Sequence, residues 1–253
     1  MTDPWHDLRR FTQARIAQGR SGCSLPTAAL LDFQLAHAAA RDAVHQAWDA
    51  PAFAGQLNSL GLDSLLLNTT VEHRSEYLQR PDKGRCLHAA SRAALSGLSG
   101  PAVDVVFIVS NGLSSTAVDQ HGFGLLQAVA AAFADTGLRL GPVCLLNNAR
   151  VAVADEIGAL LQARLAVIIL GERPGLSAAD SLGVYLTYRP QVGNTDAERN
   201  CISNIRPPEG LAYAAAAAKL RYLSTMALQR GLSGVALKDD MPNHDQPPGL
   251  AVD

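Results

Sequence analysis

Aromatic residues are scarce in this chain: Phe, Trp and Tyr together make up 5% of its 253 residues. That excludes a sheet of stacking aromatics for single-stranded nucleic acid. An excess of one charge is also missing. The 21 basic and 23 acidic residues leave a formal net charge of −2. No long-range field exists to hold a phosphate backbone or an anionic lipid surface, so neither nucleic acid nor a membrane is expected as a partner. Long apolar runs are absent too. Leu165–Leu170 and Ala214–Ala218 fall far short of the roughly 20 residues that span a bilayer. The opening MTDPWHDLRR has charges and no apolar stretch, so no secretory signal is expected. The four cysteines lie far apart with no C-x-x-C, which argues against a disulfide scaffold or a zinc ribbon. A reducing cytoplasm is the expected location.

Several chemical motifs are missing as well. There is no G-x-G-x-x-G after a strand, no phosphate-binding G-x-x-x-x-G-K, no G-x-S-x-G and no H-E-x-x-H. Dinucleotide oxidation, nucleotide hydrolysis, serine hydrolysis and zinc chemistry lose their usual signatures. No catalytic residue and no metal ligand is assigned from the sequence.

What remains is apolar content of 48%, enough for a substantial core, in a length that suits one α/β domain with an appendage. The first 60 residues read as a helical arm. Asp3 caps and Pro4 opens a first helix carrying Trp5, Leu8, Phe11 and Ile16. A second helix runs from Thr27 to Trp48 and a third from Ala52 to Leu60. Their stripes are too few to form a core alone and must pack on the rest of the chain or on another subunit. Residues 61–238 then alternate. Strands are expected at Ser64–Thr69, Val103–Val109, Gly141–Leu146, Leu165–Leu170 and Gly183–Tyr188. Helices are expected at Lys83–Leu98 with Asp82 as cap, from Ser114 or Ser115 to about Thr136, at Val153–Leu161 and at Glu209–Gln229. The pattern predicts an α/β fold: a mostly parallel, Rossmann-like sheet with helices on both faces. The Pro-rich tail, residues 239–253, reads as disordered.

In such a sheet, ligands sit beyond the carboxyl ends of the strands. Three loops fall there: Ser110–Ser114 (SNGLS), Asn147–Arg150 (NNAR) and Gly171–Gly175 (GERPG). They offer amides, hydroxyls, one carboxylate and two guanidiniums, a set suited to a polar and roughly neutral ligand; ordinary turn and cap chemistry accounts for the same residues. RPDKGR (Arg80–Arg85) reads as a solvated helix start. One further string, Asp119–Gly124, fits D-x-H-x-x-G. It resembles the motif of cobalamin enzymes in which a histidine replaces the nucleotide base beneath cobalt. There the histidine works from the loop directly after a strand. Here His121 lies inside a predicted helix, so it is not read as a cobalt ligand.

Several segments taken together resemble one family. They are PWHDLRRFTQARIAQGRSG (Pro4–Gly22), SLPTAALLDFQLAHAAARDAVH (Ser24–His45), YLQRPDKGR (Tyr77–Arg85), SNGLSS (Ser110–Ser115), GERPGLSAADSLGVYLTYRP (Gly171–Pro190) and NCISNIRP (Asn200–Pro207). In this order they are similar to the small subunit of ethanolamine ammonia-lyase, from Pro4 to about Leu237. The resemblance implies a lyase subunit, inactive alone, for the conversion of ethanolamine to acetaldehyde and ammonia with adenosylcobalamin. It implies a large subunit, a β/α barrel carrying substrate and acid–base groups, and a higher hetero-oligomer. The small subunit would cover the nucleotide side of a cobalamin bound with its own base on cobalt. The family's cofactor contacts map here to Val151, Glu172 and Cys201. Glu172 would accept from carboxamide or ribose donors, Val151 would offer its amide and an apolar side chain, and Cys201 would pack as a small group. The family usually reads S-D-G-L-S where this chain has Asn111, which removes a charge. Some relatives carry an N-terminal extension tied to bacterial microcompartments; this chain starts almost at the first shared helix, so free bacterial cytoplasm is expected and packaging is in question. The competing readings are a stand-alone cobalamin- or nucleotide-binding protein without catalytic groups, and a structural adaptor.

Overall fold

A computed structural model describes residues 5–98 and 100–241 of the chain. Continuous apolar runs build its centre. VVFIVS forms β2 (Val105–Ser110), VCLLN forms β3 (Val143–Asn147) and LAVIILG forms β4 (Leu165–Gly171); every residue of β2 and β4 is buried. Strands buried on both faces need no polar alternation. With β1 (Ser64–Asn68), β5 (Leu182–Tyr188) and β6 (Arg199–Ile205) they form one sheet in the order β1–β3–β2–β4–β5–β6. The first four strands in that order are parallel, and β5 and β6 add on antiparallel.

Helices cover both faces. On one, α2 (Ala50–Asn58), α6 (Phe123–Phe133) and α8 (Tyr213–Arg230) enclose Phe107, Val109, Leu145, Val167, Val184 and Leu186. On the other, α4 (Ala89–Ser96) and α7 (Val153–Leu160) enclose Val106, Ile108, Cys144, Leu146, Ala166 and Ile168. The split follows the two-residue period of the strands. The α/β sheet with its N-terminal helices agrees with the sequence expectation.

The differences have physical causes. The first helix is a short 3-10 turn, His6–Phe11, whose Leu8 and Phe11 stay exposed, so little burial stabilises a longer one. Its expected cap, Asp3-Pro4, lies outside the described residues, as does the tail from residue 242 onward. The second helix ends early, at α1 (Thr27–His45), and exposes Leu30, Leu31, Phe33 and Leu35. Trp48, Phe53 and Leu57 instead sink into the main core through α2. The helix expected at 83–98 is broken. Lys83–Arg85 makes a 3-10 turn, Leu87 is buried in an extended link, and His88 caps α4 by accepting from the Ala90 amide at 3.3 Å. Asp82 pairs with Arg80 at 2.7 Å rather than capping. One α-helix and one strand were not foreseen: α3 (Arg74–Gln79), capped by His73 accepting from the Glu76 amide, and β6. The helix after β2 contains a π turn: α5 (Ser115–Ala117) runs through Val118–Gly122 into α6.

β6 is an edge strand, and one buried ion pair fixes it. Arg199 on β6 donates from both terminal nitrogens to the Asp155 carboxylate on α7, each at 2.7 Å, and also to Thr187 Oγ1 at 3.1 Å and the Asn194 carbonyl at 2.9 Å. Both side chains are almost wholly buried. Removing one partner strands a charge in the interior. Arg199→Met should therefore cost about 3–5 kcal/mol in urea unfolding, and pairing it with Asp155→Asn should recover part of that. Equal stability of Arg199→Met and the parent chain would refute the assignment.

Candidate functional site

The three strand-end loops meet at the carboxyl edge of the sheet. Gly112 adopts φ +48°, and a Cβ there would lie 2.4 Å from the Gly171 carbonyl oxygen. A Cβ on Gly171 would lie 2.0 Å from the Ser114 carbonyl oxygen. The two glycines thus let the ends of β2 and β4 touch backbone to backbone, and the Leu113 amide donates to the Gly171 carbonyl at 2.8 Å. Ser114 caps α5 by accepting from the Ala117 amide, while its hydroxyl donates to the Ala179 carbonyl at 2.6 Å.

Asn111 ties the first loop to the second. Its Oδ1 accepts from the Asn148 amide at 2.7 Å, and its Nδ2 donates to Ser115 Oγ at 3.2 Å. Ser110 Oγ accepts from the Ala149 amide at 3.1 Å. A stack of rings and guanidiniums supports the second loop from outside. Arg74 and Arg150 lie over the Tyr77 ring at 4.8 and 4.2 Å. Arg74 donates to the carbonyls of Val44 and Gly112 and to Asn148 Oδ1; Tyr77 Oη donates to the Ala149 carbonyl; the Arg150 amide donates to the Gly84 carbonyl. Burial lowers the Arg74 guanidinium from its usual range, and the neighbouring Arg150 charge acts in the same direction. This explains YLQRPDKGR: the segment props the loop that delivers Val151 to the start of α7.

Glu172 leaves β4 just beyond Gly171 and is half-buried. Its carboxylate accepts from Ser203 Oγ and Ser181 Oγ, both at 2.5 Å, and from the Asn204 amide at 3.3 Å. No Lys, Arg or His pairs with it among the described residues. Cys201 faces Tyr185 across β5 and β6. On β6 it lies between Arg199, which points to α7, and Ser203, which reaches Glu172. Cys201 and Ser203 are exposed. Desolvation raises the Cys201 thiol, and the Glu172 carboxylate adds to the effect. A thiol shifted in this direction gives up its proton less readily, which favours a weakly polar packing group over a thiolate nucleophile. The Tyr185 hydroxyl is raised as well, first by desolvation.

Glu172 and Cys201 thus meet on the α7 face of the sheet. Val151 and Tyr185 pack against the core layer of that same face. The result is an open shelf near the start of α7, where Cys201 lies beside Tyr185. Glu172 and Val151 came with loops that topology had marked; Cys201 came from the resemblance alone. Sequence reasoning missed Ser181, Ser203 and Tyr185, whose signal would have been the β5–β6 pairing. His121 stands apart from the shelf. It is buried in the π turn, with Nδ1 2.7 Å from Tyr213 Oη and Nε2 3.2 Å from Asp180 Oδ2.

The model of the ethanolamine ammonia-lyase light chain family matches residues 2–238. The chain belongs to that family. Its relatives include the ethanolamine ammonia-lyase small subunits of Azotobacter vinelandii, 53% identical over 241 residues (94% of this chain, 89% of the relative), and of Xanthomonas campestris, 52% identical over 241 residues (94% and 88%). That of Pseudomonas putida is 52% identical over 245 residues (96% and 90%).

The Asn111 geometry gives a direct test of whether this position tolerates an aspartate. Aspartate can accept from both the Asn148 amide and the Ser115 hydroxyl, so Asn111→Asp should change thermal stability little. Asn111→Leu leaves the Asn148 amide unpaired and should cost about 1–3 kcal/mol. A chemical denaturation series would decide; an equal loss in both variants would refute the reading.

Proposed function

We propose that this chain is the small subunit of an adenosylcobalamin-dependent ethanolamine ammonia-lyase, covering the nucleotide side of the cofactor while a barrel-type large subunit binds ethanolamine and supplies acid–base groups. The carrying observation is the convergence of Glu172 and Cys201 on one open shelf at the start of α7, where Val151 enters the helix, in a chain that matches the light-chain family almost throughout.

The shelf's chemistry fits a corrinoid. Such a ligand presents an apolar ring rimmed by carboxamides. Val151 and Tyr185 offer apolar surface. The Glu172 oxygens accept from three donors of the chain, and a carboxylate has about four acceptor positions, so one is left for a carboxamide N–H or a hydroxyl. A bulkier side chain at 201 would rise into the shelf. Bound adenosylcobalamin supplies the radical chemistry by which ethanolamine loses its amino group. The residues of this chain bind, orient and exclude water, and none is placed as a general acid or base.

Exposed apolar side chains favour a subunit over a stand-alone binding protein. Phe11 is 73% exposed, Leu35 72% and Leu31 58%, more apolar surface than a helical arm needs unless something covers it. A higher hetero-oligomer with the large subunit, in the bacterial cytoplasm, completes the reading.

Co-expression with a barrel-type large subunit should give a complex that forms acetaldehyde only when adenosylcobalamin is added. In that complex Glu172→Ala should weaken cofactor binding by about 10- to 100-fold, the worth of a hydrogen bond to a charged group. Equilibrium titration of the cofactor reads this; unchanged affinity would remove Glu172 from the site.

A further inference from the structure

The D-x-H-x-x-G string has no place in the function above, yet each of its three defining residues makes a specific contact. Asp119 Oδ2 accepts from Gln46 Nε2 at 2.6 Å, tying the π turn to the end of α1. Gly124 leaves room for Tyr213: a Cβ there would lie 2.6 Å from the tyrosine ring. His121 lies between Tyr213 and Asp180, with both ring nitrogens engaged.

Asp180 is the informative partner. It immediately precedes Ser181, whose hydroxyl grips Glu172 and whose carbonyl accepts the Glu172 amide at 2.9 Å. The second oxygen of Asp180 lies 3.5 Å from Arg206 Nη1. Arg206 Nε donates to Asn204 Oδ1 at 3.3 Å, and the Asn204 amide donates back to Glu172. The contacts close a ring: Glu172, Ser181, Asp180, Arg206, Asn204 and Glu172 again. His121 anchors that ring to the helix behind it. A carboxylate only accepts, so a proton on Nε2 would serve Asp180, and the Tyr213 hydroxyl, which can donate or accept, completes the pair at Nδ1. Gln13, from the N-terminal arm, accepts from Arg206 Nη2 at 2.9 Å on the far side.

We infer that His121 is a positioning residue for the cofactor shelf: through Asp180 it fixes the 172–181 loop so that the Glu172 carboxylate faces the ligand. The inference rests on the proposed role of Glu172, and the experiment separates the two.

In the assembled two-subunit complex, His121→Ala and Asp180→Asn should speed amide hydrogen exchange at residues 172–181. They should also weaken adenosylcobalamin binding by about three- to tenfold, the worth of one hydrogen bond. His121→Gln, which can return a donor near the Nε2 position, should restore both, whereas His121→Asn, too short to reach Asp180, should not. Because Asp180 is partly exposed, its variant tests the ring even where His121→Ala folds poorly. Unaltered exchange in 172–181, or cofactor binding that is normal in both ring variants but lost in Glu172→Ala, would overturn the inference and leave the Glu172 role intact. Normal binding in Glu172→Ala itself would overturn both.

Discussion

Where β2 and β4 end, their backbones run so close that neither Gly112 nor Gly171 has room for a methyl group. The rest of the site takes its position from that contact. Glu172 is the next residue out along β4. Ser114, against Gly171, holds the Ala179 carbonyl and so the far limb of the 172–181 loop. Asn111, on the same turn, holds the Asn148 amide and with it the loop that leads to Val151. A side chain at either glycine would push the two strand ends apart and separate the shelf's contributors together.

The second determinant is the antiparallel extension. The inner parallel strands β3, β2 and β4 are covered on both faces, as βαβ units require. β5 and β6 continue the sheet beyond α7, so the α7 side of β6 has only Arg199 drawn under the helix, while Cys201 and Ser203 stay open. The buried pair with Asp155 and the ring through Arg206 pin this edge at its two ends. An uncovered strip between two anchored points is a rigid surface that needs no loop to form it.

Much of this was legible in the sequence. VVFIV and LAVIIL have the length and apolar continuity of buried parallel strands, and once the strands are set, the ligand-facing loops follow from topology. The cap at Ser114 and the prolines before α8 were legible by the same local rules. What was hidden depends on distant partners. NCISNI carries two buried isoleucines, too weak a pattern to announce an edge strand, so Ser203 gave no sign of reaching Glu172. The π turn shares its apolar pattern with ordinary helix, so the orientation of His121 was invisible. The helix expected through Lys83 is broken where Gly84 packs against Arg150 and Asn148 and Leu87 turns into the core on an extended link, contacts with residues distant in the chain that the local pattern does not record. The segment before α1 shows the opposite error: its spacing is helical, but Trp5, Leu8 and Phe11 stay exposed and only a 3-10 turn forms.

Glu172 accepts from hydroxyl and amide donors of its own chain, and no cation pairs with its carboxyl group among the described residues. In the proposed complex, where a cofactor would exclude water from this corner, a carboxylate there would act as a filter. A molecule presenting carboxylates or phosphates to this corner meets repulsion that the low dielectric magnifies, whereas one presenting amide N–H groups supplies the solvation that the departing water takes away. In the proposed role, discrimination between amidated and hydrolysed forms of an otherwise identical ligand would thus come from a binding residue.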